Sequence, residues 1–156
     1  MWLKFSYKKI PIDQKNPKRI NDIKFFGYSI LRPIIPVELS YKIRKIKYEM
    51  LLDSGADFCI LDGDIGDYLG YHVTNGLEIE FGGIQEGKSN QAKAYLHKIN
   101  MNIGGIVYHT DVGFSYDIAK SGYGILGQKG FFQLFNVKFV LSKERIEISP
   151  NAAQYN

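Results

Sequence analysis

The residues best equipped for chemistry stand together in "EMLLDSGADFCIL" at 49–61. Met50-Leu51-Leu52 is an apolar run that delivers Asp53 straight into Ser54-Gly55-Ala56. A second acid, Asp57, follows, and then a second apolar run, Phe58-Cys59-Ile60-Leu61. A carboxylate carried to the end of a buried-looking strand is a candidate for acid–base work, because its surroundings fix its position and its proton affinity. A D-S-G triplet alone is common, and an ordinary aspartate ending a strand gives the same letters. The context adds weight: a glycine-tipped hairpin follows about 30 residues later, and Ile125-Leu126-Gly127 stands further on.

Other reactive groups fit no comparable pattern. Cys59 is the single cysteine, so no internal disulfide forms, and its apolar neighbours predict a packed small hydrophobe. His72, His97 and His109 have no spacing that pairs one of them with Cys59 or builds a zinc site. Asp62, Asp64 and Asp67 resemble the start of a calcium loop, but position 12 of such a loop is Val73, where a bidentate Glu is needed. "GYGILG" at 122–127 matches the dinucleotide-binding glycine pattern letter for letter. That site needs a long helix, a returning strand and an acid about 20 residues on. Only 29 residues follow Gly127, and they read as a short helix and a hairpin. No cofactor is expected.

The whole chain bounds the answer further. Its 156 residues fit one domain, and 45% hydrophobic content is enough for a core. The net charge of +4 is mild, and the basic clusters at 15–19 and 42–47 sit beside turns. They read as solvated faces, with no nucleic-acid motif beside them. No stretch has the length of a signal peptide's apolar core or of a membrane helix, so a cytoplasmic location is the default expectation.

The texture that must position Asp53 is all-β: short strand-like runs broken by glycine and polar turns. Residues 2–12 and 23–31 predict strands, with a polar turn at 13–19 between them. Pro33 and Pro36 place "IIPVEL" at or near a sheet edge. Ile46, Tyr48 and Met50 alternate onto one face of the strand that feeds Asp53. Residues 62–70 predict a short helical turn ending at Gly70. Residues 77–81 start a hairpin whose tip is Gly82 to Gly87. A second hairpin turns at Gly104-Gly105. "YGIL" is a short buried strand, "GQKGFFQLF" a short helix, and "VKFVLSKERIEI" a last hairpin turning near Ser142-Lys143.

Taken together and in order, these motifs resemble the retropepsin-type aspartic proteases, the single-domain, dimeric branch of that superfamily. "LLDSGADFCIL" is similar to the family's apolar-apolar-Asp-Thr/Ser-Gly-Ala motif, "GGIQEG" falls where the flap tip belongs, and "GILGQKGFF" resembles the apolar-apolar-Gly segment that opens a C-terminal helix. The match spans residues 34–149. Residues 1–33 are expected to extend the same domain, with an extra hairpin, and 150–156 to form a tail. The resemblance implies an acid-protease barrel with one short C-terminal helix. It implies peptide-bond hydrolysis by Asp53, with Ser54 and Gly55 completing the catalytic turn. Ala56, Asp57, Gly82, Gly83, Ile84, Gln85, Ile125 and Leu126 would then contact an extended peptide or protein substrate.

The chemistry explains the residue types. Two carboxylates about 3 Å apart cannot both ionise cheaply, so they share a proton and supply an acid and a base from one residue type. Gly55 permits a tight turn, Ser54 offers a hydroxyl that can brace it, and Ala56 lets substrate lie close. The triplet occurs once, so one chain supplies one catalytic aspartate, and an active enzyme must be a two-fold homodimer. No nucleic acid or membrane partner is expected. One departure stands out: Gln128 replaces the Arg that many relatives carry, which puts the support of the dimer and of Asp57 in question. It also keeps an alternative in view, a non-catalytic dimeric binding or structural protein on the same fold.

Overall fold

The computed structural model describes residues 1–82 and 92–152. The strand feeding Asp53 is β5, Arg44–Leu52, and its partner β4, Ile34–Tyr41, folds back on it in an antiparallel pair. The strand after the acidic stretch is β6, Ile60–Asp62. Between β5 and β6 lies β10, Tyr123–Leu126, parallel to β5 and antiparallel to β6. The chain therefore leaves β5, loops over the end of β10, and returns on β10's other side.

Two long strands complete the sheet. β8, Ala92–Ile103, and β9, Ile106–Ser115, form the hairpin expected around Gly104 and Gly105. Both glycines are left-handed, with φ of 58° and 96°, which is the backbone a two-residue hairpin turn requires. β9 pairs with β6, and β8 returns to pair with β4 through Leu39 and Met101. The order β4-β5-β10-β6-β9-β8 thus closes on itself as a six-stranded barrel, with β7, Leu77–Phe81, added outside on β8. The all-β expectation holds. The barrel is filled by alternate side chains such as Val37, Leu39, Met50, Leu61, Met101 and Phe114. β4 is paired on both sides, so it is no edge strand. Pro36 is tolerated because β8 engages only residues 38–40.

The ends of the chain make smaller sheets. β1, Leu3–Ser6, pairs with β12, Arg145–Pro150, which pairs with β11, Phe135–Val140. The β11–β12 hairpin is the one predicted, turning through Leu141–Lys143 onto left-handed Glu144. β2, Lys8–Pro11, pairs with β3, Ser29–Arg32. Among the described residues no helix is long and apolar enough to cross a membrane.

Helices are where expectation and structure part. The short helix foreseen at 62–70 is α2, Gly63–Leu69, started by the Asp62 side chain and stopped by left-handed Gly70. The strand foreseen over 23–31 is only partly there: α1 spans Ile20–Phe26, and within that stretch Ser29 to Leu31 are strand, in β3. Asn16 caps a tight turn with Pro17 in its first position, and Gly27, at φ 83°, ends the helix. These are ordinary start and stop signals, and they outweighed the β-prone letters between them. The C-terminal helix expected in "GQKGFFQLF" is absent. Residues 128–134 are successive turns, with Phe132 N–H on the Gly127 carbonyl and Gln133 N–H on that of Gln128. Left-handed Gly130, φ 97°, interrupts the right-handed helical run.

Candidate active site

Asp53 occupies the first position of the loop that links β5 to β6, and it is half-buried. The loop is laced to the exit of β10. Asp53 N–H donates to the Leu126 carbonyl at 3.0 Å, Gln128 N–H to Ala56 at 2.8 Å, Lys129 N–H to Asp57 at 2.9 Å, and Cys59 N–H to Lys129 at 3.2 Å. Within the loop, Ala56 N–H reaches the Asp53 carbonyl at 3.1 Å, and Gly55 N–H donates to Asp53 Oδ1 at 3.0 Å. The carboxylate is thus oriented by its own turn, while Leu52 beneath it is buried in the core.

Space is tight at two glycines. A Cβ on Gly55 would sit 3.2 Å from Asp53 Oδ1, so the carboxylate would have to give by a few tenths of an ångström. Gly55 is not among the left-handed glycines. A Cβ on Gly127 would meet the Phe58 carbonyl oxygen at 2.3 Å and the Ala56 oxygen at 2.8 Å. Gly127 therefore belongs to this loop-to-strand contact, and the G-x-G-x-x-G pattern around it has a structural use.

The other sequence-predicted residues fall as follows. Ser54, Gly55 and Asp57 are exposed and Ala56 is half-buried. The Ser54 hydroxyl makes no hydrogen bond to the described residues of its own chain, though its carbonyl accepts one. Ile125 is half-buried, and Leu126 is fully buried, supporting the loop from below. Gly82 is exposed with open space where a Cβ would be. Gly83, Ile84 and Gln85, and the rest of the expected flap tip, lie outside the described residues.

Three features escaped the sequence reading. Gln128 Nε2 donates to the Ser54 carbonyl at 2.9 Å, so this side chain braces the loop without a charge. Cys59 is buried as expected, but its Sγ also accepts from Gly127 N–H at 3.4 Å. Burial pushes its thiol up to about 12, with the Gly127 N–H working the other way. Beside the loop, a cavity of about 350 Å³ is lined by Phe58, Ile79, Leu96 and Val112, with Asp57, Asp111 and Lys129 also on its walls. Ile79 lies in β7, a strand the sequence predicts, but no local signal says which cavity it would line.

The acids that resembled a calcium loop have other partners. Asp62 caps α2, Asp64 pairs with Lys120, and Asp67 accepts from the Tyr116 hydroxyl at 2.8 Å. Likewise His97 Nε2 engages the Val73 carbonyl and His109 Nδ1 the Asn100 side chain.

No family model matches this sequence, and no curated protein matches it. Among solved structures the chain is similar to EIAV protease complexed with the inhibitor HBY-793. The match has 18% sequence identity and a TM-score of 0.42, and covers 76% of this chain and 88% of that one.

Proposed function

We propose that this protein is a retropepsin-like aspartic endopeptidase that works as a homodimer, with one Asp53 from each copy. The observation that carries the reading is the loop itself. It presents an oriented carboxylate beside exposed Ser54 and Gly55, at the end of a barrel strand, as half of a site. In the dimer the two carboxylates hold one proton and one water between them. The ionised member takes a proton from the water as its oxygen bonds to the scissile carbonyl carbon. The protonated member gives its proton to the carbonyl oxygen, forming a gem-diol. As the intermediate collapses and the C–N bond breaks, one gem-diol hydroxyl gives its proton to the now ionised second carboxylate, and the proton acquired from water goes from the first to the leaving nitrogen.

Substrate enters as an extended strand, with alternate side chains in pockets and the cavity beside Phe58 as one of them. Residues 34–149 form the working core in this reading. The Ser54 hydroxyl, exposed and without a partner among the described residues of its own chain, is free to bond across the two-fold axis. The non-catalytic alternative drew on Gln128, whose hydrogen bond to the Ser54 carbonyl braces the loop but supplies no charge. The test is turnover of a mixed peptide library by wild type beside Asp53→Asn. Cleavage by wild type alone is expected. Equal cleavage by both, or none by a wild type that is dimeric in solution, refutes the assignment.

A further inference from the structure

Two tight hairpin turns of the barrel are built from opposite materials. β8 and β9 turn on Gly104-Gly105, residues that suit a left-handed turn and leave no side chain at its tip. β4 and β5 pair as far as Tyr41 and Arg44, so their turn is Lys42-Ile43. Lys42 takes a positive φ of 52°, where glycine is the ordinary choice. Ile43 is 97% exposed, the most exposed large apolar side chain among the described residues. A lysine in a glycine's conformation and an isoleucine left in water do nothing for stability. Residues that break a local rule in this way are expected at functional sites.

Charge is concentrated at the same tip. Lys42, Arg44 and Lys45 are exposed and stand in no ion pair with a described residue. Elsewhere cations meet acids, as Lys8 meets Glu49, Lys93 Glu78, Lys98 Asp111 and Lys138 Glu147. The chain's net charge is +4; the tip holds three cations and no acid, so all the rest of the chain amounts to +1. Asp67, on the helix beside the tip, is taken up by the Tyr116 hydroxyl. Two tyrosines hold the cations in place. Lys42 Nζ lies 5.2 Å from the centre of the Tyr41 ring. The Arg44 guanidinium stands 6.0 Å from that of Tyr68, which is 50% exposed, and donates to the Tyr68 carbonyl at 2.8 Å. One apolar point among cations and tyrosines fits an anionic lipid surface. The point enters the acyl boundary, the tyrosine rings sit at headgroup level, and the cations meet the negative headgroups. A nucleic acid would engage the cations but gain nothing from a protruding isoleucine. β5 runs nine residues from this tip to Leu52, about 30 Å, so a surface held by the tip leaves Asp53 clear at the far end.

We propose that the β4–β5 tip docks on an anionic lipid surface, with Ile43 inserted and Lys42, Arg44 and Lys45 against the headgroups. Nothing in this inference needs a second copy or a working Asp53. Its test is cosedimentation of the full chain with vesicles of equal parts phosphatidylserine and phosphatidylcholine, beside vesicles of phosphatidylcholine alone. Each basic residue near an anionic surface strengthens binding about fivefold, so the three should favour the mixed vesicles roughly 100-fold. Lys42→Ser/Arg44→Ser/Lys45→Ser should lose that margin. Ile43→Ser should weaken binding about tenfold, and Ile43→Leu less than about threefold. Trp2→Phe/Ile43→Trp moves the chain's single indole to the tip, and its emission should shift to the blue on the mixed vesicles. Melting curves check that each variant is folded; if the triple variant is not, Lys42→Gly/Lys45→Ser takes its place. A wild type that ignores the mixed vesicles overturns the proposal. So does full binding by the charge variant, which would place the contact elsewhere. Loss of binding in the charge variant, with Ile43→Ser unchanged and the indole still in water, overturns it too, because Ile43 would not insert. Binding to polyuridylate through the same residues, with no binding to vesicles, would make the tip a nucleic-acid contact instead.

Discussion

Replacing Gln128 tests how the loop is held. Its Nε2–H···O bond to the Ser54 carbonyl is 2.9 Å long, and the side chain is exposed. A neutral hydrogen bond contributes about 0.5–1.5 kcal/mol net, and where water can replace the lost donor the lower half of that range applies. Gln128→Ala should therefore cost about 0.5–1 kcal/mol, a fall of roughly 1–4 °C in the melting midpoint for a domain of this size. Activity should suffer more than stability. The backbone bond from Gln128 N–H to Ala56 survives the change, so Asp53 shifts by only a fraction of an ångström. Catalysis is steep in such displacements, and a kcat loss of about tenfold with KM nearly constant is expected. Gln128→Glu puts a carboxylate against the Ser54 carbonyl oxygen with no proton to donate. It should lose a further ~1–3 kcal/mol and about 100-fold in kcat. Gln128→Arg keeps N–H donors in reach and should stay near wild type. Thermal melts and steady-state peptide cleavage read all three. A glutamate variant as stable and as active as wild type would refute the bracing role.

Other consequences can be checked directly. Gly127→Ala forces a methyl to within 2.3 Å of the Phe58 carbonyl oxygen, against backbone that cannot swing away. It should destabilise by about 3 kcal/mol or more in urea titrations and abolish cleavage. The buried Cys59 thiol, pushed up to about 12 from an ordinary 9.0, should resist alkylation at pH 8 in the folded chain and react once it is unfolded. Its raised value also links stability to pH. The unfolded chain releases the thiol proton first, so the contribution is complete below about pH 9 and drains away as pH rises toward 12. Urea midpoints across that range should fall, less steeply in Cys59→Ala.

Most of the barrel was legible because its strands announce themselves locally. The Gly104-Gly105 turn, the alternation of Ile46, Tyr48 and Met50, and the cap-to-glycine span of α2 all depend on a few neighbouring residues. α1 is equally local, with Asn16, Pro17 and Gly27 as its punctuation, but the β-prone "IKFF" between them points to a strand. The turns at 128–134 are not legible, because helix-like spacing says nothing of a left-handed Gly130. The site divides in the same way. Asp53 and its loop were readable from one stretch. The bonds from Gln128, Cys59 and Gly127 join residues about 70 positions apart, and such contacts exist only once β10 has slid between β5 and β6. What a second copy contributes lies further still from any local pattern.

The central claim is that each active site contains two Asp53 carboxylates, one from each chain. Mixing wild type with Asp53→Asn after subunit exchange tests it most directly. At fixed total protein, activity should follow the square of the wild-type fraction, so an equal mixture keeps about one quarter of the pure wild-type rate. A linear fall, with half the rate left in that mixture, would mean that one Asp53 suffices and would contradict the account.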